Sequence, residues 1–450
     1  MTDESAPPGL PPVAPMSLPA RVRALREFHT GPGVVRDLAG PVVRVPVGPR
    51  HVVPPYVLVT SPRGAHDVLA STSNDTMDKL TQVHLETRLI GENVFNLPYE
   101  PWKPQRRTLQ PLFTRQHVAT FAGHMATAAD ECSSRWPDGS EIDLDRELRS
   151  LTLRVLGRSM FGVDLDAHAS DLGPSIQEVL SYVTGRGLRP VRAPRWVPTP
   201  AQRRFRAALA DIDAVIEEVI AGCEADPRRD CELVRLLLAA RDPDTGRPLS
   251  HDEVVSDLAV FLIAGHDTTA TTLTYALWAL GHHPDLQDRV ADEVGALGDR
   301  PLNVRDVPGL PFTVQVVHES LRLCPPAAAL ARFATRDTVV DGFRIERGTN
   351  VLVGIYAMHR DPSLWDDPET FDPDRFSAER SRGRDRWQFL PFGAGSRSCI
   401  GDHFAMLEAT LGLASIVRRC RVSSLAAGFP LALPFTMTAD GPIPARVEMR

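Results

Sequence analysis

Lysine is almost missing from this chain. Lys79 and Lys103 are the two lysines among 50 basic residues, so nearly all the positive charge is arginine. The balance is still acidic, with a net charge of −7 and a pI near 6.1, which argues against a nucleic-acid binder. Apolar runs suited to lipid are missing too. The most apolar long segment, Leu258 to Leu280, carries His266, Asp267 and several threonines, and an aspartate is costly in a membrane span. Met1 to Ala20 is acidic and proline-rich, without the basic start and apolar core of a secretory signal. The cysteines (Cys132, Cys223, Cys231, Cys324, Cys399 and Cys420) follow no framework spacing, as in a reducing cytosol. A cytoplasmic protein without a membrane anchor is expected. Gly/Ser-rich linkers and internal repeats are absent as well. The expectation is a proline-rich tail over residues 1–27 and a single large domain over 28–450, long enough to bury about three quarters of its unfolded surface.

What is present is concentrated in one stretch, Phe392-Gly-Ala-Gly395-Ser-Arg397-Ser-Cys399-Ile-Gly401. It ends a glycine-rich loop just before an apolar helical pattern from Phe404 to Val417. A sulfur at a helix N-terminus meets unpaired N–H groups and the positive end of the dipole. That setting favours the thiolate, the form that ligates metals. Gly395 and Gly401 would let the backbone approach something large and flat. A dinucleotide loop is disfavoured, because position 398 is Ser and no strand-like run precedes. Zinc would need companion ligands, and His403 is the one nearby.

The stretch fits Phe-x-x-Gly-x-Arg-x-Cys-x-Gly at all its defined positions and resembles the heme-binding loop of the cytochromes P-450, of the soluble bacterial type. The resemblance implies heme b with Cys399 as the iron's thiolate ligand and Arg397 at a propionate. It also implies a mainly α fold with a small β-sheet and a long central helix over the heme.

The patterns along the chain suit that fold. Val42–Val47 and Val52–Thr60 read as a hairpin around Gly48-Pro49-Arg50, with Pro46, Pro54 and Pro55 confining it to an edge. Helical patterns follow to about residue 325. Strand patterns return at Thr338–Ile345, at Asn350–Ile355 and in pieces over Leu431–Val447, predicting a small sheet assembled from both ends. Ser250-His-Asp-Glu253 is a capping box. From there a largely apolar helix runs to Gly281, roughly 45 Å at about 1.5 Å per residue.

Ala264-Gly-His-Asp267-Thr268 interrupts that helix with polar groups, costly in a core unless used. The Thr268 hydroxyl can bond back to the Ala264 carbonyl and bend the helix. The stretch is similar to the family's oxygen-activation motif. By resemblance, the Ala264 side faces the heme, Thr268 hydrogen-bonds the oxygen under activation, and Asp267 relays protons through water. His266 lies about 200° around the helix from Ala264 and is rejected as a ligand. Glu319 and Arg322, three apart among apolar neighbours, resemble the family's structural pair, with Arg375 of Pro373-Asp-Arg-Phe376 as the third member. Trp102 and Arg106 lie four apart on one helix face and can both reach a carboxylate; by resemblance they bind propionates together with Arg332. Pro104 between them is tolerable only in a first helical turn. Ala327-Ala-Ala-Leu330, small and apolar, suggests a bulky or elongated lipophilic substrate.

The reading is a heme-thiolate monooxygenase using O₂ and electrons from a separate ferredoxin or flavodoxin with its reductase. A peroxygenase or isomerase, whose relatives generally lack the Asp267-Thr268 pair, and a non-catalytic heme sensor remain the alternatives.

Overall fold

The computed structural model describes residues 8–450 except 52, 71–75, 166–167, 190–191, 195, 227, 230 and 243. The chain forms two compact units. The first comprises 1–85, 327–370 and 382–399, and the second 86–326, 371–381 and 400–450.

The first unit is built on a five-stranded sheet. From edge to edge it runs Val42–Val45, Tyr56–Val59, Asn350–Val353, Leu330–Ala334 and Met77–Asp78. The expected hairpin is there, antiparallel with Val42 opposite Val59. It is shorter than the pattern suggested, because Pro46, Pro54 and Pro55 fall outside the paired residues and cannot donate to a ladder. Position 52 of the hairpin lies outside the described residues. Tyr56–Val59 pairs in parallel with Asn350–Val353, which brings the early and late segments into one sheet. Valines 42, 57, 59, 351 and 353 share a buried cluster with Val68, Leu69 and Met77. Thr338–Ile345, expected as one strand, is a hairpin of 338–340 with 343–345. Asp341 (φ 48°) and Gly342 (φ 81°) turn it, the left-handed pair of a two-residue hairpin turn. Ile355 opens a short helix instead of ending a strand. A helix at Leu18–Arg26 occupies part of the segment expected as a tail.

The second unit is mainly helical. Its central helix, His251–His282, carries the expected capping box, with the Ser250 hydroxyl accepting from the Glu253 N–H. It is buried along most of its length and packs against the Leu144–Leu156 helix. The C-terminal strand Pro444–Met449 does not join the first unit's sheet, as the sequence had suggested. It pairs with Cys420–Ser424 on one side and Glu141–Asp143 on the other. The cysteines do not all stay apart either. Cys223 and Cys231 are disulfide-bonded, their Cα atoms 6.2 Å apart at the junction of the Pro200–Ala225 and Glu232–Ala239 helices. Among the described residues, no helix is long and apolar enough to cross a membrane.

Candidate active site

In the first unit the chain from Leu390 to Cys399 coils on itself. Gly393 N–H donates to the Leu390 carbonyl at 3.0 Å, and Cys399 N–H donates to that of Phe392 at 2.9 Å. Gly395 sits at φ 74°, and a Cβ there would lie 1.8 Å from the Leu69 carbonyl oxygen. Its missing side chain is demanded by the protein's own backbone at this point. Gly401, at φ −96°, caps the Asp402–Arg419 helix, and a Cβ there would meet nothing within 4 Å. Cys399 is exposed, whereas Cys132, Cys324 and Cys420 are buried. Burial pushes the Cys132 and Cys420 thiols up to about 12, which keeps them protonated. Cys399 is the accessible sulfur.

Positive charge gathers in the same unit. Arg397, its side chain 4% exposed, donates to Asp78 Oδ1 at 3.1 Å. Arg332 is also buried. Burial first, and Arg397 second, lower its pKa to about 10 against the opposing pull of Asp78. His84 is held well below its ordinary value by burial and by Lys79, Arg332 and Arg397. One of the chain's two lysines therefore belongs to this cluster, in which Asp78 is the acidic member. A cluster so rich in desolvated cations suits an incoming anion.

In the second unit, Trp102 is buried and Arg106 half-buried, one turn apart on the Tyr99–Leu109 helix. The Trp102 ring stacks on Tyr99 with centroids 5.7 Å apart. Pro104 is the sixth residue of this helix, not in its first turn. The helix tolerates it while losing one N–H donor, and the Pro104 carbonyl accepts from the Thr108 hydroxyl at 3.1 Å.

The central helix is exposed at Ala264 and half-buried at Thr268, which lie on one face, while His266 and Asp267 are buried. The Thr268 hydroxyl donates to the Ala264 carbonyl at 2.8 Å, the back-bond that the spacing predicts. His266 points into the core, its Nδ1 3.0 Å from the Thr152 hydroxyl. Burial lowers its pKa to about 4. Asp267 is held on both oxygens. Oδ1 accepts from Arg149 and from the Gln177 amide at 2.6 Å, and Oδ2 meets the Thr436 hydroxyl. Arg149 also donates to Asp145 at 2.7 Å. Burial works against the charge of Arg149, but Asp267 and Asp145 more than offset it and raise its pKa. Arg149, Gln177 and Thr436 lie 118, 90 and 169 positions from Asp267, and no local pattern announces them.

Glu319, Arg322 and Arg375 form a buried triad in this unit. Arg322 grips Glu319 with two bonds of 2.7 Å, Arg375 reaches it at 3.3 Å, and the Asp372 N–H adds a fourth bond at 2.9 Å.

The sequence profile of the family described as "Cytochrome P450" matches residues 8–438. Cyclooctatin synthase of Streptomyces melanosporofaciens is 33% identical over 91% of this chain and 89% of its own length. Cyclooctat-9-en-7-ol 5-monooxygenase from the same organism is 32% identical over 81% of this chain and 80% of its own. Pentalenene oxygenase of Streptomyces avermitilis is 30% identical over 85% and 84% respectively. Family members carry a heme held by a cysteine thiolate, and they use O₂ and electrons from a redox partner. The residues here fit such a group: heme bears carboxylates, and Arg332 and Arg397, both with buried side chains, gather with the half-buried Lys79 into a concentration of positive charge. The chain belongs to the cytochrome P450 family and is a heme-thiolate monooxygenase acting on lipophilic small molecules.

Proposed function

We propose that Cys399 is the thiolate ligand and that Arg397 and Arg332, with Trp102 and Arg106, bind the heme carboxylates. The observation that carries this reading is the accessible Cys399 thiol, two residues from an arginine that is itself buried. When bound, the heme supplies the iron at which O₂ is reductively activated. Arg397 and Arg332 offer N–H forks that match carboxylates. Phe392, Gly395 and Gly401 shape the loop around the sulfur. Glu319, Arg322 and Arg375 keep neighbouring segments rigid.

Asp267 and Thr268 handle protons. Thr268 donates to the Ala264 carbonyl and keeps its oxygen's lone pairs for an incoming donor. Asp267 keeps a carboxylate one residue away. This pair favours O₂-driven chemistry over the peroxide-driven alternative. The substrate is a bulky lipophilic molecule. Small side chains at Ala327, Ala328 and Ala329 support that reading, and so do the relatives' names, which denote an alkene and an unsaturated mono-alcohol. Electrons come from a separate ferredoxin or flavodoxin, and the protein works in the cytoplasm.

The test is the absorbance of the reduced protein with carbon monoxide. A Soret band at the thiolate position is expected, absent in Cys399→Ala. The same band persisting in that variant would exclude Cys399 as the ligand.

A further inference from the structure

We infer that Thr436 is a positioning residue for Asp267, holding its Oδ2 and serving as the partner through which that oxygen exchanges a proton. The inference rests on the proton-handling role proposed for Asp267.

Asp267 is 1% exposed, so any proton must pass through a neighbour. Oδ1 is taken by two donors, the Arg149 guanidinium and the Gln177 amide N–H₂. Neither donor nitrogen has a lone pair to accept from a further group. Oδ2 meets the Thr436 hydroxyl, which donates one proton and accepts another. Among the three side chains on this carboxylate, Thr436 alone can pass a proton on without being left charged. In the transfer, the Thr436 O–H bond breaks as its proton joins Oδ2, and Oγ1 takes a proton from a water. That water is itself reprotonated from solvent hydronium, so that one solvent proton is consumed. The carboxylate becomes a carboxylic acid, and the hydroxyl is restored.

The hydroxyl is held in place. Thr436 lies half-buried in the five-residue turn between the strands Leu431–Ala432 and Thr438–Ala439. The Met437 N–H donates to the Pro326 carbonyl at 2.8 Å. Phe435 packs edge-on against Phe95, their centroids 5.9 Å apart. The turn is therefore anchored on both sides of Thr436.

The test compares Thr436→Val, Thr436→Ser, Asp267→Asn and the double variant Asp267→Asn/Thr436→Val. In heme-loaded protein driven by a plant-type ferredoxin and its reductase, oxygen consumption is measured in H₂O and D₂O. Thr436→Val should slow it about tenfold or more and change the solvent isotope effect, on the scale of acid–base contributions. Thr436→Ser should restore both, and the double variant should be no slower than Asp267→Asn. Independently of heme, the Asp267 carboxylate stretch, isolated as the infrared difference between apoprotein and its Asp267→Asn variant, should shift in Thr436→Val and not in Thr436→Ser. An unmoved band, or unchanged rate and isotope effect in Thr436→Val while Asp267→Asn is slow, overturns the inference. If Asp267→Asn is itself as fast as the parent, the role of Asp267 fails first.

Discussion

Replacing Glu319 by Ala removes the acid from a cluster that holds two buried guanidinium groups. In the parent, the carboxylate accepts three N–H bonds from Arg322 and Arg375 and one from the Asp372 backbone. The side chains of Glu319 and Arg322 are 0% exposed and that of Arg375 is 4%, so solvent cannot replace the lost partner. Removing one member of a buried pair typically costs about 3–5 kcal/mol, because the remaining charge stays desolvated. At about 1.4 kcal/mol per decade, that lowers the folded-to-unfolded ratio by roughly a hundredfold to a few thousandfold. The exposed pair Arg289–Asp374, with side chains 46% and 44% exposed, is a matched control; Arg289→Ala should cost less than about 1 kcal/mol. The assay is urea unfolding of apoprotein, followed by fluorescence, with heme content measured in parallel. Glu319→Ala should lower the midpoint far more than Arg289→Ala and should yield heme-poor protein. Equal effects of the two variants would refute the reasoning, since burial would then carry no weight.

Two further outcomes are expected. Burial raises the pKa of Asp257 to about 6 from 3.8, so the native state binds the extra proton between those values. Its contribution is fully present below about pH 4 and lost as pH rises through 6, up to about 3 kcal/mol. Asp257→Asn should therefore gain stability relative to the parent between pH 4 and pH 8, and a pH-independent difference in urea midpoints would refute this. Of the two motif glycines, Gly395→Ala combines a left-handed backbone with a backbone clash and should cost at least about 2 kcal/mol. Gly401→Ala should change apoprotein stability by under about 0.5 kcal/mol; similar losses in both would count against the packing account.

Much of this architecture is legible in the residues themselves because the signals are local. The capping box at Ser250, the Thr268-to-Ala264 spacing and the i,i+3 pair Glu319–Arg322 all act within a turn of helix. The Asp341-Gly342 turn was equally local, and its left-handed pair could have divided Thr338–Ile345 correctly. What escaped was long-range. The partners of Asp267 come from two other helices and a C-terminal turn, and nothing in their own neighbourhoods marks them. The Glu141–Asp143 strand is too short to carry a period-two pattern, so its pairing with the C-terminus was invisible. Lysine scarcity held an unused clue, since Lys79 belongs to the cationic cluster.

The threonines of the central helix have a mechanical consequence. Thr268, Thr271, Thr272 and Thr274 each close their hydroxyl onto the carbonyl four residues back, so the three that are buried, Thr271, Thr272 and Thr274, offer their surroundings methyl groups much as valines would. A contact surface of that kind has no teeth. It resists separation, yet it does little to stop the helix sliding or turning on its axis. Teeth are supplied elsewhere along the helix, among them the His266 contact with Thr152 and two aspartates. Asp257 is bonded to the Val94 N–H and the Gln105 amide, and Asp267 to its three side chains. Ten positions, about 15 Å, separate them. The helix is smooth over Thr271–Thr274 and keyed at Asp257 and Asp267, with Ala264 between those two keys.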